Sequence, residues 1–468
     1  MLKLTPKYVS QNAPRLGLWD AVSIIIGIVI GTAIFRSPTT IFQNVPGPAW
    51  AMGLWVIGGV VSWCGAVCYA ELATTYPRDG GDYEYLSRAF GRWCGFLFAW
   101  AQLTVVISAN IGAMAYAFAD YGVGIWPEWK EHAVWLAVAP IVVLSVINLM
   151  GIVAGKFAQN LLSVVKVLGL GAIVLAGLWA GAKPPAAAGD NLAAANPDIG
   201  IALVFVLYAF GGWVHAAYVA AEVRDQRRNL PMALIFGIAG ITLMYLAVNA
   251  AYLAVLGFDG ARATATPAAD VMQHATGTWG GRAVSVLVML SALGAINGMI
   301  LTGARVYAVW GEDYPSLAWL GKRSGRGSPA AAIIVQSLIA VALVLLVGTS
   351  AGRDAFNSVL QSVGLGRLPW EKYFGGFETL VAGTAPVYWG LCIFGGAAVI
   401  VLRRIDPTRE RPYTTPLYPL PPLVLCAACA FMLYASLDYA RWLALIGIVP
   451  LVIGAVVWFF LRDGTNAH

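Results

Sequence analysis

Apolar runs of about twenty residues recur from one end of this chain to the other, and the polar stretches between them are short. A run of that length crosses a bilayer as a helix, because only a helix pairs all its backbone groups within one open segment. Twelve runs can be laid out, at 17–42, 48–76, 92–121, 133–150, 157–181, 199–222, 231–257, 281–310, 329–348, 376–402, 417–437 and 441–461. Only 11% of the 468 residues are charged and 59% are hydrophobic, which excludes a soluble domain of this length. An all-α integral membrane protein with twelve transmembrane helices is expected. The opening MLKLTPKYVSQNAPRLG has no apolar core before a small-residue cleavage site, so no cleaved signal peptide is expected.

The net charge of +6 reflects topology, not nucleic-acid binding. Eighteen lysines and arginines fall in one set of alternate loops, among them Arg78, Arg224, Arg323 and Arg403, against eight in the other set. The excess of basic residues marks the cytoplasmic side, so both termini are expected in the cytoplasm. An even number of spans requires the same. Cys426 and Cys429 form a CxxC, but it lies in an apolar run without a second pair or nearby histidines, so it reads as buried thiols rather than a metal or redox site. There is no HExxH, nucleophile elbow or acidic metal cluster. No enzyme activity and no cofactor is expected.

Two spans are interrupted. The first reads GIVIGTAIFRSP from Gly27 to Pro38, with small residues at Gly31-Thr32-Ala33 where bulky apolar ones are usual. The sixth carries Gly211-Gly212 beside Tyr208, Phe210 and Trp213. Glycine unwinds at low steric cost, and freed backbone groups in a membrane are tolerated only inside protein or around a water-filled cavity. Close helix packing through small residues would account for either site alone. Two interrupted spans at corresponding positions of two blocks of five point instead to an inverted-repeat transporter whose site lies where the broken helices meet.

Longer motifs carry a family pattern. Gly31-Thr32-Ala33-Ile34-Phe35 stands where a G-S-G-I-F would, and Ala70-Glu71-Leu72 leads through Pro77 into Gly80-Gly81-Asp82-Tyr83-Glu84-Tyr85. The sixth span holds Tyr208 to Trp213 and then Glu222, followed by Arg227-Arg228-Asn229-Leu230-Pro231. Gln159 to Lys166, Ser291 to Gly298 and Arg411-Pro412-Tyr413 continue the pattern in order. The chain resembles the amino acid–polyamine–organocation superfamily, most closely its L-amino-acid transporter family. The resemblance implies a five-plus-five inverted-repeat fold with broken first and sixth helices. Residues 1–16 would form a cytoplasmic segment, 17–181 and 199–402 the two repeats, and 417–461 two further spans. Ala33 and Thr32 depart from the usual glycine and serine, Val214 stands where many relatives are polar, and 349–375 is longer and more polar than usual.

The implied function is transport of neutral L-amino acids by alternating access, through sodium-independent exchange. Proton-coupled symport is the alternative, and a receptor or channel on the same scaffold a more distant one. Amides around Gly31, Thr32 and Ala33 would take the substrate carboxylate, and carbonyls near Ile28 and at Tyr208, Ala209, Phe210 and Gly211 its ammonium. Phe210 would cover the substrate. Lys166, costly inside an apolar run, would replace a sodium ion and tie the fifth span to the first, although snorkelling to the interface is a second reading. Tyr245 and Asn110 are candidate pocket residues; Glu71 and Glu222 are candidate gate or helix-end ion pairs. His215 reads as structural, and Arg36 as reaching the outer surface or a helix end. The partners expected are a small-molecule amino acid and lipid, in the cell (inner) membrane. The loop 122–133 has no cysteine, so no disulfide-linked heavy subunit is expected.

Overall fold

The computed structural model describes residues 16–180, 197–218, 222–325, 327–362, 364, 366–368, 370 and 375–461. Much of the expected segment 1–16, the end of the first block and parts of 349–375 therefore lie outside the described residues. Helices joined by short turns make up the described part, whose one β-bridge is the parallel pair Leu16 and Val223. The first run forms α1 (Leu18–Val29) and α2 (Ala33–Gln43), inclined by 48°. Then come α3 (Pro48–Thr75), the short α4 (Asp82–Phe90), and α5 (Arg92–Ala101), which continues through a π-helical turn at Gln102–Val106 into α6 (Ile107–Ile125). Next are α7 (Ala133–Leu149) and α8 (Ile152–Ala180).

The second half begins with α9 (Ile199–Ala209) and α10 (His215–Tyr218), followed by α11 (Gln226–Ala263), which kinks at Gly257, and α12 (Pro267–Thr276). The long α13 (Trp279–Asp313) leads to α14 (Ala330–Gly348), α15 (Ser350–Ser362), α16 (Gly376–Ile405), α17 (Leu420–Ala440) and α18 (Leu445–Leu461). The extra-polar region thus contains the amphipathic α15, whose Asn357 side chain accepts from the Leu368 amide at 2.9 Å.

Among the described residues, nine helical stretches are long and apolar enough to cross a membrane, or ten when α1 and α2 count as one bent span. Two features separate this count from twelve. The sixth run keeps only 11 helical residues before its break. The last two runs form a single stretch, Leu420–Leu461, in which Arg441 has φ 45°.

α5–α6 and α13 are the most enclosed, with 78% of their apolar windows buried against about a third for α7 and α8. α1 packs between α8, α11 and α13. The residue pattern of α8 explains its placement: Gln159, Ser163 and Lys166 are buried toward α1, while Leu168, Leu175 and Leu178 are exposed. In a bilayer, those leucines face hydrocarbon.

Candidate functional site

The first break leaves backbone groups that a continuous helix would pair. Gly31 donates its amide to Val29 O at 2.8 Å instead of reaching back a full turn, which frees the Gly27 carbonyl. The Lys166 ammonium takes it at 2.8 Å and also donates to Ile30 O. The Ser291 hydroxyl lies 3.2 Å from Ile30 O and 3.1 Å from Gly31 O. From α11, Tyr245 places its hydroxyl 3.1 Å from Val29 O and 3.0 Å from Ala209 O. One side chain therefore bridges both breaks. Every one of these contacts delivers donors to carbonyls. Among the described residues, the Ile28 carbonyl accepts no hydrogen bond, and the Thr32, Ala33 and Ile34 amides at the start of α2 donate none. Orphan amides at a helix start carry the positive end of its dipole.

Between the breaks lies a cavity of about 100 Å³, room for roughly seven to ten water-sized groups. Ile28, Gly31, Thr32, Ala33, Tyr208, Ala209, Gly211 and Asn110 all line it. The cavity thus gathers eight of the residues singled out from the sequence. Phe210 does not line it. The ring is 1% exposed and packs on Tyr245 and Trp55, with centroids 5.1 and 6.0 Å away. Of the two neighbouring aromatics, it is Tyr208 that lines the space. Lys166 and Tyr245 stand behind the first break and hold its shape.

Other wall residues could not be singled out from sequence: Gln102 in the π-helical turn, Thr384 and Tyr388 on α16, and Tyr218 on α10. A π turn inside an α-helix often marks a functional site; nothing in the sequence marks this one. His215 also lines the cavity and places Nδ1 2.8 Å from the Thr302 hydroxyl. Among the described residues, no lysine, arginine, aspartate or glutamate lines the cavity. Ser108, on α6 near Asn110, is buried and donates to the Leu103 carbonyl.

Glu71 and Glu222 lie away from the cavity, in ion pairs on the predicted cytoplasmic side. Glu71 accepts from Arg403 at 2.7 and 2.6 Å and from the Thr415 amide at 2.7 Å. Glu222 pairs with the buried Arg305 at 3.2 Å and with Arg323 at 3.3 Å, and Arg323 reaches Asp79 at 3.3 Å. Burial, reinforced by the Glu222 charge, pushes the Asp79 carboxyl up to about 6. At the opposite end, Arg36 lies 3.3 Å from Glu378 and 3.9 Å from Asp120, with its guanidinium 4.9 Å from the Phe377 ring centroid. Among the described residues, no group of histidine, cysteine or carboxylate side chains is arranged to hold a metal ion.

A family model described as amino acid permease matches residues 16–466. The chain belongs to that family. It is similar over 432 residues to the serine/threonine exchanger SteT of Bacillus subtilis, at 27% identity, covering 90% of this chain and 91% of that one. It is 29% identical over 471 residues to the human b(0,+)-type amino acid transporter 1, covering 97% of this chain and 89% of that one. The large neutral amino acids transporter small subunit 2 of mouse is 28% identical over 95% of this chain and 80% of its own length. This permease is therefore an amino acid transporter and a multi-pass membrane protein, not an enzyme.

Proposed function

We propose that this permease moves neutral L-amino acids by alternating access, through sodium-independent exchange. The observation that carries the reading is the division of backbone groups at the first break. Lys166, Ser291 and Tyr245 occupy its carbonyls, while the Thr32 and Ala33 amides stay free beside the cavity. A carboxylate fits those amides. The ammonium of the same zwitterion would go to the free Ile28 carbonyl or to carbonyls at Tyr208–Gly211. A wall without ionised side chains suits a neutral side chain, because an unpaired charge in a low-dielectric site is costly. The Lys166 ammonium serves the carbonyls at the break as a bound cation would.

In this reading, residues 17–181 and 199–402 are two inverted five-helix repeats, with the α1–α2 and α9–α10 breaks at corresponding places. α17 and α18 turn at Arg441 into two spans, giving twelve. Both termini lie in the cytoplasm of a cell in whose inner membrane the protein works. With no cysteine in the 122–133 loop, it acts without a disulfide-linked heavy subunit.

The test is uptake of labelled alanine, serine, leucine and arginine into proteoliposomes, with and without internal unlabelled amino acid. Exchange predicts uptake of the neutral substrates only when amino acid is inside, with no response to sodium. Sodium-driven uptake into empty vesicles would refute it. Proton-coupled symport stays a second reading, because a carboxyl without a cationic partner is buried beside the cavity wall.

A further inference from the structure

That carboxyl is Asp82, the first residue of α4, in the short segment between α3 and α5. It is 4% exposed. Tyr69 of α3 donates to Oδ1, and the Tyr218 hydroxyl of α10 lies 3.4 Å from Oδ2. No lysine, arginine or histidine pairs with it among the described residues. The neighbouring carboxylates are served differently: Glu84 is held by Arg78 at 3.1 Å and by Arg88, and Asp79 by Arg323. The other titratable groups near Asp82 are neutral thiols and phenols: Cys94 on α5, Cys392 on α16, and Tyr83 and Tyr85 on α4 itself. Gly395 of α16 makes room for the cluster. A Cβ there would lie 2.2 Å from the Tyr69 hydroxyl and 3.0 Å from Asp82 Oδ1.

The same turn grips Tyr218, which lines the substrate cavity. Gly80 donates its amide to the Tyr218 carbonyl at 3.1 Å. Gly81, at φ 51°, lies against the ring so closely that a Cβ would come within 2.3 Å of Cδ1. Asp82 holds the hydroxyl. An ionised carboxylate accepts from both tyrosines. Once protonated, it keeps less acceptor capacity and must place its own O–H, and the longer bond to Tyr218 is the one to yield.

We propose that Asp82 is a proton-binding site, and that taking up a proton there releases Tyr218 from the cavity wall and speeds transport. The step is transfer of one proton from hydronium to the carboxylate: the carboxyl O–H forms as the hydronium O–H breaks, leaving water. Burial pushes the Asp82 carboxyl up to about 7, against the two tyrosine hydroxyls, which lower it. The proposal rests on the transport reading above, and the test separates the two.

Exchange or uptake is measured at equal pH on both sides, from pH 5 to 9. The rate is expected to fall with a midpoint near pH 7, about tenfold per unit above it. Asp82→Asn is expected to give a flat profile. Tyr69→Phe removes a donor that stabilises the anion, so its midpoint rises by about one to two units. A purely structural role would not move the midpoint, and this variant carries the test if Asp82→Asn does not fold. A flat wild-type profile, or the same midpoint in Asp82→Asn, overturns the proposal. Infrared titration of the purified protein needs no transport. A protonated-carboxyl band that grows as pH falls through 7 and is missing from Asp82→Asn supports the site even if no amino acid is moved. A band unchanged by that substitution refutes it.

Discussion

Replacing Lys166 by Met tests the role assigned to the first break. The side chain is fully buried, and its ammonium donates to Gly27 O at 2.8 Å and to Ile30 O. Ile30 O retains Ser291 after the change, but Gly27 O is orphaned. An unsatisfied buried carbonyl costs about 1–3 kcal/mol. Losing a cation from the carbonyl end of α1 adds about 1 kcal/mol. Against these, Met removes the cost of burying an ammonium, which is several kcal/mol. Global stability should therefore change little. The loss of about 2–4 kcal/mol falls on the shape of the unwound segment, and hence on substrate affinity. That corresponds to weakening of about 30- to 1,000-fold. Equilibrium binding of labelled substrate to detergent-solubilised protein, alongside a melting curve, separates the two effects. Wild-type affinity in Lys166→Met without sodium would refute the reasoning. An affinity loss that sodium restores in the variant alone would support Lys166 as the cation of this site.

Five further substitutions test the site and the packing around it. Tyr208→Ala opens the cavity wall and is expected to raise KM with little change in melting temperature. Phe210→Ala empties a buried aromatic cluster and should cost about 3–5 kcal/mol of stability, read by thermal unfolding; equal transport and stability effects from both would undo the distinction. Arg305→Met leaves the buried Glu222, among the described residues, with the half-exposed Arg323 as its one cation and is expected to lower stability by about 3 kcal/mol. Arg227→Ala, which breaks an exposed pair with Glu410, should leave the melting temperature unchanged. Gly65→Ala would put a Cβ 2.3 Å from the Trp213 indole, so a destabilisation of about 1–3 kcal/mol is expected, and an unchanged melting curve would show that α3 and the second break are not packed as described.

What could be read from the sequence follows from which forces act locally. A lysine in an apolar run and glycines in a spanning helix are locally expensive, so Lys166, Gly31 and Gly211 stand out without any structure. Tyr208 and Phe210 could not be told apart that way. Both are aromatic and flank the same glycines, and which ring faces the cavity depends on α9 ending at Ala209 and on the φ of 100° at Gly212. Hydropathy counted twelve runs because it registers apolar length. Helix length counts fewer, because the sixth run is unwound where its backbone reaches the cavity. Gln102, Thr384, Tyr388 and Tyr218 were hidden for another reason. Polar residues in membrane helices commonly bond to neighbouring helices, and only the assembled bundle brings these to one wall.

Tyr245 joins these levels. Its hydroxyl is buried and needs a partner, and the carbonyls within reach belong one to each break, Val29 and Ala209. A change in either unwound segment must then be felt by the other through one shared proton. Lys166 and Ser291 fill the Gly27, Ile30 and Gly31 carbonyls of the first break, so the protein covers these from its own side chains and, among the described residues, leaves the Ile28 carbonyl open. Among the described residues the amides at Thr32 and Ala33 stay unpaired, which on the proposed reading is where a substrate carboxylate binds. In the transport reading proposed above, this asymmetry orients a zwitterion with its carboxylate toward α2. Its side chain is then left to the neutral wall formed by α6, α10 and α16.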